Sequence, residues 1–561
     1  MTVLALNLLI FLPLAAAVVV WVLPERRETL APRIALAVGL VILVLAGLLW
    51  PALPAALDRD GPGALIGQTN VRWIAVGERW DLSDAAGVLH NGFVLRYHVG
   101  LDAISLPLVA LTGLLVPLSV ACSFTGIRAR VREYYAWLLA LTTGMIGVFA
   151  ARDVLLFYIF FEFTLVPLYF LIGIWGGPER RYAANKFFLY TFVGSVITFA
   201  GIMYLGLRAA QIHGTSVIDF DLVRLSSLLL GPGGLSAREQ SLLFVAFFCG
   251  FAIKVPLFPL HTWLPLAHTE APTAGSVLLA GVLLKLGTYG FLRFALPMVP
   301  AGALTWAEPM GVLAVAGIIW GALCCWVQSD VKKLVAYSSV SHLGFCMLGM
   351  FSLLPIGLSG SVLYMINHGL STGALFLVVG MIYERYHTRD LNQIGGLARQ
   401  MPILAFFFVL FVLSSIGLPG LNGFISEFTV LLAAFNSDVL GRWYGVLGAT
   451  GILLGAVYML YATGKVLFGP LREPAGTPDL SAGLTRDLTP REAAILVPIA
   501  VLVVVLGVYP RFITDTLDPA LHGQVLQRVQ AARPSPPLAA LTPFGETPVA
   551  DTAAGPRKEG G

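Results

Sequence analysis

The chain of 561 residues is 57% hydrophobic and only 12% charged, with a mean hydropathy of +0.84 and about half the charge of a soluble domain, which excludes a single water-soluble globule. Its net charge of +4 and pI near 8.7 come mostly from Arg in short loops, so they report membrane topology and not nucleic-acid binding. Cys122, Cys249, Cys324, Cys325 and Cys346 contain no CxxC pair and lack the spacing of zinc or iron-sulfur ligands, which leaves them as packing residues.

Apolar runs of about 18 to 25 residues recur along almost the whole length, each able to cross the hydrocarbon of a bilayer. They predict an all-α polytopic membrane protein of about 14 spans. The first seven begin near Val3, Ile34, Leu101, Tyr135, Val154, Ala184 and Leu242, and the next seven near Ala274, Pro309, Leu334, Val362, Ile403, Tyr444 and Ala494. No basic residue precedes the first span, so Met1 to Leu23 reads as an anchor and not a secretory signal. In the loop after the second span, Val71 to Val76 is strand-like and predicts a small hairpin over the rim.

Alternate loops carry the positive charge: Arg26, Arg27 and Arg33; Arg128, Arg130 and Arg132; Arg180 and Arg181; Lys332 and Lys333; Arg385, Arg389 and Arg399; Arg472, Arg486 and Arg491. The positive-inside rule makes those loops cytoplasmic and puts both termini outside. The loop His261 to Pro272 departs from this pattern, having neither Lys nor Arg. From Arg533 the chain turns polar and proline-rich, and residues 516–561 are expected to form a disordered tail.

Of 35 basic residues, seven are Lys, and two of those, Lys254 and Lys285, lie mid-span, where a charge costs about 2.5 to 3.5 kcal/mol to insert. Arg keeps its proton under all relevant conditions, whereas a buried Lys can give it up. Glu162 and Glu427 are placed the same way. Polar side chains recur at helical spacing around these charges: Tyr158, Glu162 and Tyr169; Gly281, Lys285 and Thr288; Ser338 and His342; Tyr364, His368 and Thr372. The plainer roles are snorkelling for the lysines, static pairing for the glutamates and packing for His342 and His368. His261 and His268 border a Trp-Pro loop, which suits a structural or coupling role better than metal binding.

Pro256 and Pro259 interrupt the seventh span just after Lys254 and should free the carbonyls of Ala252 and Val255. Gly417, Pro419, Gly420 and Gly423 break the twelfth shortly before Glu427, which should leave the Ser415 carbonyl without its usual partner. The breaks are five spans apart, an odd offset, so a unit repeated with that shift is inverted; spans four to eight would match nine to thirteen. No Walker loop, dinucleotide fingerprint or HExxH motif is present.

The stretches DVLLFYIFFEFTLVPLYFLIGIWGG from Asp153, PLFPLHTWLPLAHTEAPTAGSVLLAGVLLKLGTYG from Pro256, DVKKLVAYSSVSHLGF from Asp330, INHGLSTGALF from Ile366 and SSIGLPGLNGFISEF from Ser414 resemble the M-type antiporter-like subunits of respiratory complex I, NADH:quinone oxidoreductase. The resemblance runs from about Tyr97 to Leu467. It implies a 14-helix fold with two inverted five-helix repeats, one proton-pumping module of the membrane arm. The segments would be 1–100, two helices and the outside loop; 101–132, the third helix; 133–300 and 301–470, the repeats; 471–515, the final helix; and 516–561, the tail.

Carried over by motif, Glu162 would pair with Lys254, Lys285 would be the central lysine, His342 and His368 relay groups and Glu427 the terminal carboxylate. Glutamate at the last position resembles the M type, since L-type and N-type subunits usually carry Lys there. Leu266 departs from relatives that often place a charge after the WLP motif, so that loop is given no proton-uptake role. The resemblance further implies that this chain holds no cofactor: NADH, FMN, iron-sulfur clusters and quinone would belong to partner subunits, with L-type and N-type chains as neighbours in the bilayer. Two other readings stay open here: a subunit of a multisubunit Na+/H+ antiporter or membrane-bound hydrogenase, and a structural spacer whose charges only hold helix register.

Overall fold

The computed structural model describes residues 1–76, 91–214, 216–231 and 233–533. Eleven helices among the described residues are long and apolar enough to cross a membrane. Where the other spans were expected lie helix Val131–Ala150, the pair Ala237–Lys254 and Leu264–Glu270, and the pair Pro402–Ser415 and Asn422–Asn436. The most apolar windows of Thr273–Met298 and Pro355–Tyr386 are buried all round, whereas Thr2–Trp21, Arg180–Ile212 and Arg442–Leu467 present one apolar face outward. The polar side chains therefore gather on the innermost helices, with apolar helices between them and lipid.

Both breaks are closed in one way. After Lys254 the Leu257 amide reaches back five residues to the Ala252 carbonyl at 2.9 Å, and the Leu418 amide does the same to Leu413 at 3.0 Å. The expectation that Ala252 is left free is thus corrected: a wider turn claims its carbonyl when Pro256 cannot donate. The Trp263 indole also donates to the Ile253 carbonyl at 2.9 Å, so a second carbonyl of this break is bonded within the protein.

A second device recurs. Asp153 caps Val154–Phe163 by accepting from the Leu155 and Leu156 amides at 3.0 and 2.9 Å, and Asp330 caps Val331–Phe351 by accepting from Lys332 and Lys333 at 2.8 and 3.0 Å. Each capping residue is also bridged antiparallel to another aspartate, Asp153 to Asp221 and Asp330 to Asp390. The two devices lie at opposite ends of the bundle. Arg152, beside the first, bonds Asp102 just ahead of helix Ser105–Gly126. Arg389, 3.3 Å from Asp330, lines a cavity with Thr125 and Gly126 at that helix's other end.

The expected hairpin is present, with Ile66–Val76 antiparallel to Asn91–Leu101 and Ser216–Asp219 added parallel at the far edge of the second strand. The Arg96 guanidinium locks this sheet by donating to Asp219 at 2.9 Å. Residues 516–533 correct the disordered-tail expectation. Helix Arg511–Leu521 continues through a π-turn, His522–Leu526, into Gln527–Ala531. Ile513, Leu517, Leu521, Val525 and Val529 are buried at four-residue spacing, and Phe512 stacks on Trp50 at 5.0 Å. The remainder of that expected tail, 534–561, lies outside the described residues.

Candidate functional site

Lys254 is the last residue of its helix and is 1% exposed. Its ammonium donates to the Thr164 hydroxyl at 3.3 Å and lies 5.0 and 5.8 Å from the ring centres of Phe161 and Phe187, so its charge is met by one hydroxyl and two aromatic faces. Glu162 is half-buried on the helix that ends at Phe163, beside the Ser195 hydroxyl, and its Oε1 is buried without a hydrogen-bond partner among the described residues. No direct ion pair joins Glu162 to Lys254 among the described residues. The two expected partners are neighbours whose charges do not touch.

Lys285 has a different setting. It sits fully buried between two π-helical stretches, Leu279–Leu283 and Phe291–Ala295. Such stretches leave backbone groups loosely held and recur at functional sites. Its ammonium donates to the Ala280 carbonyl and lies 2.7 Å from His368 Nδ1. The His368 ring is 5.7 Å from that of His342. His342 Nδ1 bonds the Tyr364 hydroxyl, which donates to Glu427 at 3.0 Å, while His342 Nε2 faces the Ser415 hydroxyl at 3.4 Å. Because the Tyr364 proton goes to Glu427, His342 Nδ1 is the donor in its bond to Tyr364, leaving Nε2 as the acceptor. His368 Nε2 has no partner among the described residues and lines, with His342 and Glu427, a cavity of about 10 Å³. That is close to the space one water needs.

Five side chains that the sequence reading passed over shape this cavity. Asn367 donates to the Asn422 carbonyl at 2.6 Å and to Ser426 at 3.1 Å, Ser414 donates to Asn422 Oδ1 at 2.6 Å, and Ser371 lies 2.6 Å from Ser414. Their signal was available: Asn and Ser facing the interior of spans with hydrogen-bond partners across helices. At Gly417, with φ of +73°, an added Cβ would collide with Glu427 Oε2, so the bare backbone of the break is what admits the carboxylate.

The structure brings Lys285, His368, His342 and Glu427 together and leaves Glu162 and Lys254 as a separate group. Between them the bare backbone of Gly287 packs closely against the backbone of Phe251 and Val255. Thr372, expected on the same face as His368, has a buried hydroxyl without a partner among the described residues. His268 is fully buried, stacked on Phe376 at 4.6 Å, with both ring nitrogens unpartnered among the described residues. Its helix ends at Glu270, which lines a cavity of about 360 Å³ with Lys332 and Glu384. Lys332, read from sequence as a loop charge, is buried and donates to the Ala271 carbonyl at 2.5 Å.

A further charged group, also missed, lies at the opposite end. Asp102 is fully buried and pairs with Arg152 at 3.0 Å and Arg293 at 2.7 Å. Burial alone would raise its carboxyl, but the two guanidinium groups hold it well below the usual range. Arg293 stands in the same apolar run as Lys285 and was the one mid-run charge there that went unread. Among the described residues no cluster of three His, Cys, Asp or Glu side chains is arranged to hold a metal ion.

The family model for NADH:quinone oxidoreductase/Mrp antiporter transmembrane proteins matches residues 151–454. NADH-quinone oxidoreductase subunit M of Rhodobacter capsulatus is 41% identical over 516 residues, covering 92% of this chain and 95% of its own. Respiratory complex I from Thermus thermophilus with bound NADH contains a chain that matches with a TM-score of 0.75 at 28% identity, over 94% of this chain and 100% of that one. A chain of the Mrp complex from Dietzia sp. matches with a TM-score of 0.74 at 21% identity, over 94% of this chain and 100% of its own, a likeness of fold alone.

Proposed function

The chain belongs to the NADH:quinone oxidoreductase/Mrp antiporter transmembrane family, and from that premise we propose how its buried charges work. It is a multi-pass, proton-translocating membrane-arm subunit of an NADH:quinone oxidoreductase. Electron transfer from NADH to quinone takes place elsewhere in that complex, on partner subunits that carry the NADH, FMN, iron-sulfur and quinone sites. L-type and N-type antiporter-like chains are its membrane neighbours, in a bacterial inner membrane with both termini outside.

The observation that carries the relay is the nearly continuous polar row from Lys285 through His368, His342 and Tyr364 to Glu427. A proton on Lys285 passes to His368, crosses to His342 by way of one water in the small cavity, and reaches Glu427 through the Tyr364 hydroxyl. Glu162 and Lys254 form the control point. When the carboxylate is brought to the ammonium, by movement or by water, Lys254 keeps its proton; when the two part, the proton moves on towards Lys285. The groups titrate as one coupled set. Residues 133–300 and 301–470 are two inverted units, a reading supported by the paired five-residue turns and by the Asp153 and Asp330 bridges at opposite ends.

The test is NADH-driven acidification of inverted membrane vesicles, recorded together with electron transfer and complex assembly, for the native chain and Glu162→Gln. Assembled complex that neither pumps nor sustains coupled electron transfer is the expected result. Unchanged pumping would sink the scheme, and unchanged pumping with loss of sodium-dependent proton exchange would instead favour an antiporter.

A further inference from the structure

On the face where helix Ser105–Gly126 begins, the charges do not balance. A cavity of about 540 Å³ is lined by Arg152, Arg293 and Arg528. Asp102, which pairs with the first two, is the one carboxylate bonded to them among the described residues. One carboxylate against three guanidinium groups leaves a surplus of two positive charges. Arg152 is 4% exposed, and its Nε is buried without a hydrogen-bond partner among the described residues. Arg293 also donates to the Tyr289 hydroxyl at 3.1 Å and to Gln524 at 2.6 Å, which leaves N–H groups of its guanidinium over. Gln524 in turn donates to the Pro62 carbonyl at 2.8 Å, so the C-terminal helix is fastened across the cavity and delivers Arg528 to it.

Concentrated positive charge is unexpected here, because the loop sequences 58–97 and 208–240 on this side otherwise mix Arg with as many Asp and Glu. Burying a guanidinium with an unmet donor is costly unless an anion completes it. Arg is suited to that partner, since its planar fork matches the oxygens of a phosphate group. Leu222, Val223 and Leu292 supply an apolar wall beside the three arginines.

We propose that this cavity is an anion site for a phosphate group, held by Arg152, Arg293 and Arg528 and closed by the C-terminal helix. Two sources present that chemistry: the headgroup of an anionic phospholipid, and free inorganic phosphate. The site stands apart from the proton relay and does not depend on it.

The purified complex containing the full chain is to be examined by amide hydrogen exchange over residues 522–531, in nanodiscs of phosphatidylglycerol or of phosphatidylcholine, and in phosphatidylcholine with added inorganic phosphate. Ligand at ten times its Kd should slow exchange by about tenfold wherever opening releases it. Protection in phosphatidylglycerol alone identifies the lipid headgroup, and protection by inorganic phosphate in phosphatidylcholine identifies the free anion. In both cases Arg528→Gln should abolish the effect and Arg528→Lys restore part of it. Equal exchange in all three conditions overturns the proposal, as does an Arg528→Gln complex that responds like the native one.

Discussion

Lys254 and Lys285 are both buried lysines of one chain, each on a helix whose backbone is irregular nearby. Lys254 has a single hydroxyl at 3.3 Å and two aromatic rings around it, and its glutamate neighbour stands off. Lys285 has His368 at 2.7 Å and, beyond it, a row of polar groups that ends at Glu427. The backbone devices of the two stretches match, with the same five-residue turn at each break and the same bridged aspartate at each cap. What differs is where the charge stands relative to the break: Lys254 comes just before its turn, whereas Glu427 lies beyond its own. On the proposed relay, matching backbone devices serve one stretch that conducts and one that interrupts, and an interrupted stretch is where a pump needs its control.

The largest effect is expected from cutting the conducting stretch. Lys285→Met keeps most of the side-chain volume and removes the only cation of the row. A positioned proton-transfer group contributes on the order of 10² to 10⁴ in rate, so NADH-driven acidification should fall at least a hundredfold in assembled complex. Acidification within twofold of native would mean that protons bypass the row.

The two capping aspartates sharpen the comparison next. Asp330 shares its carboxylate with Arg389 at 3.3 Å, whereas Asp153, just outside its span, is fully buried. Burial pushes the Asp153 carboxyl up to about 7, against the backbone amides of Leu156, Arg96 and Leu155 that favour its ionised form. A carboxyl whose folded value is raised binds its proton more tightly in the folded state, so stability is highest below the unfolded value and falls as pH rises towards 7. At about 1.4 kcal/mol per unit the loss amounts to about 4 kcal/mol at most. Thermal scans of the native complex between pH 5 and 8 should show this decline, and Asp153→Asn should flatten it; parallel curves would remove the contrast between the caps.

Gly417→Ala tests the break that admits Glu427. The left-handed backbone costs a Cβ-bearing residue about 1 to 2 kcal/mol, before any displacement of the carboxylate. A fall in thermal midpoint with weakened acidification is expected, while Gly464→Ala, where an added Cβ meets nothing within 4 Å, should leave both unchanged.

Much of this was legible in the sequence because the bilayer imposes a simple code of apolar runs, costly charges and Pro or Gly breaks. The general placing of the spans and both breaks follow from it, while the charged and histidine members of the Lys285 row needed the motif resemblance as well. The Arg293, Arg152 and Asp102 cluster does not, because its members are separated by long stretches of chain and meet only at one end of the bundle. That Thr164, and not Glu162, stands nearest the Lys254 ammonium is hidden for a related reason: which of two neighbours an ammonium bonds depends on side-chain reach, which motif carry-over does not contain. The helices after Arg511 were hidden by their polarity, although Ile513, Leu517, Leu521, Val525 and Val529 held the helical period throughout.

The smallest change bears most directly on the interrupted stretch. Thr164→Val preserves shape and removes the hydroxyl that accepts from Lys254. A net hydrogen bond is worth about 1 kcal/mol, or about fivefold in a rate or an equilibrium. If the Thr164 bond is the resting contact that Lys254 leaves when it meets Glu162, its loss should shift that balance and change acidification per assembled complex by about fivefold, with Thr164→Ser close to native. If Thr164→Val pumps as the native chain does, then Lys254 exchanges its proton without leaving Thr164, and the gap between Glu162 and Lys254 is a feature of packing and not a switch.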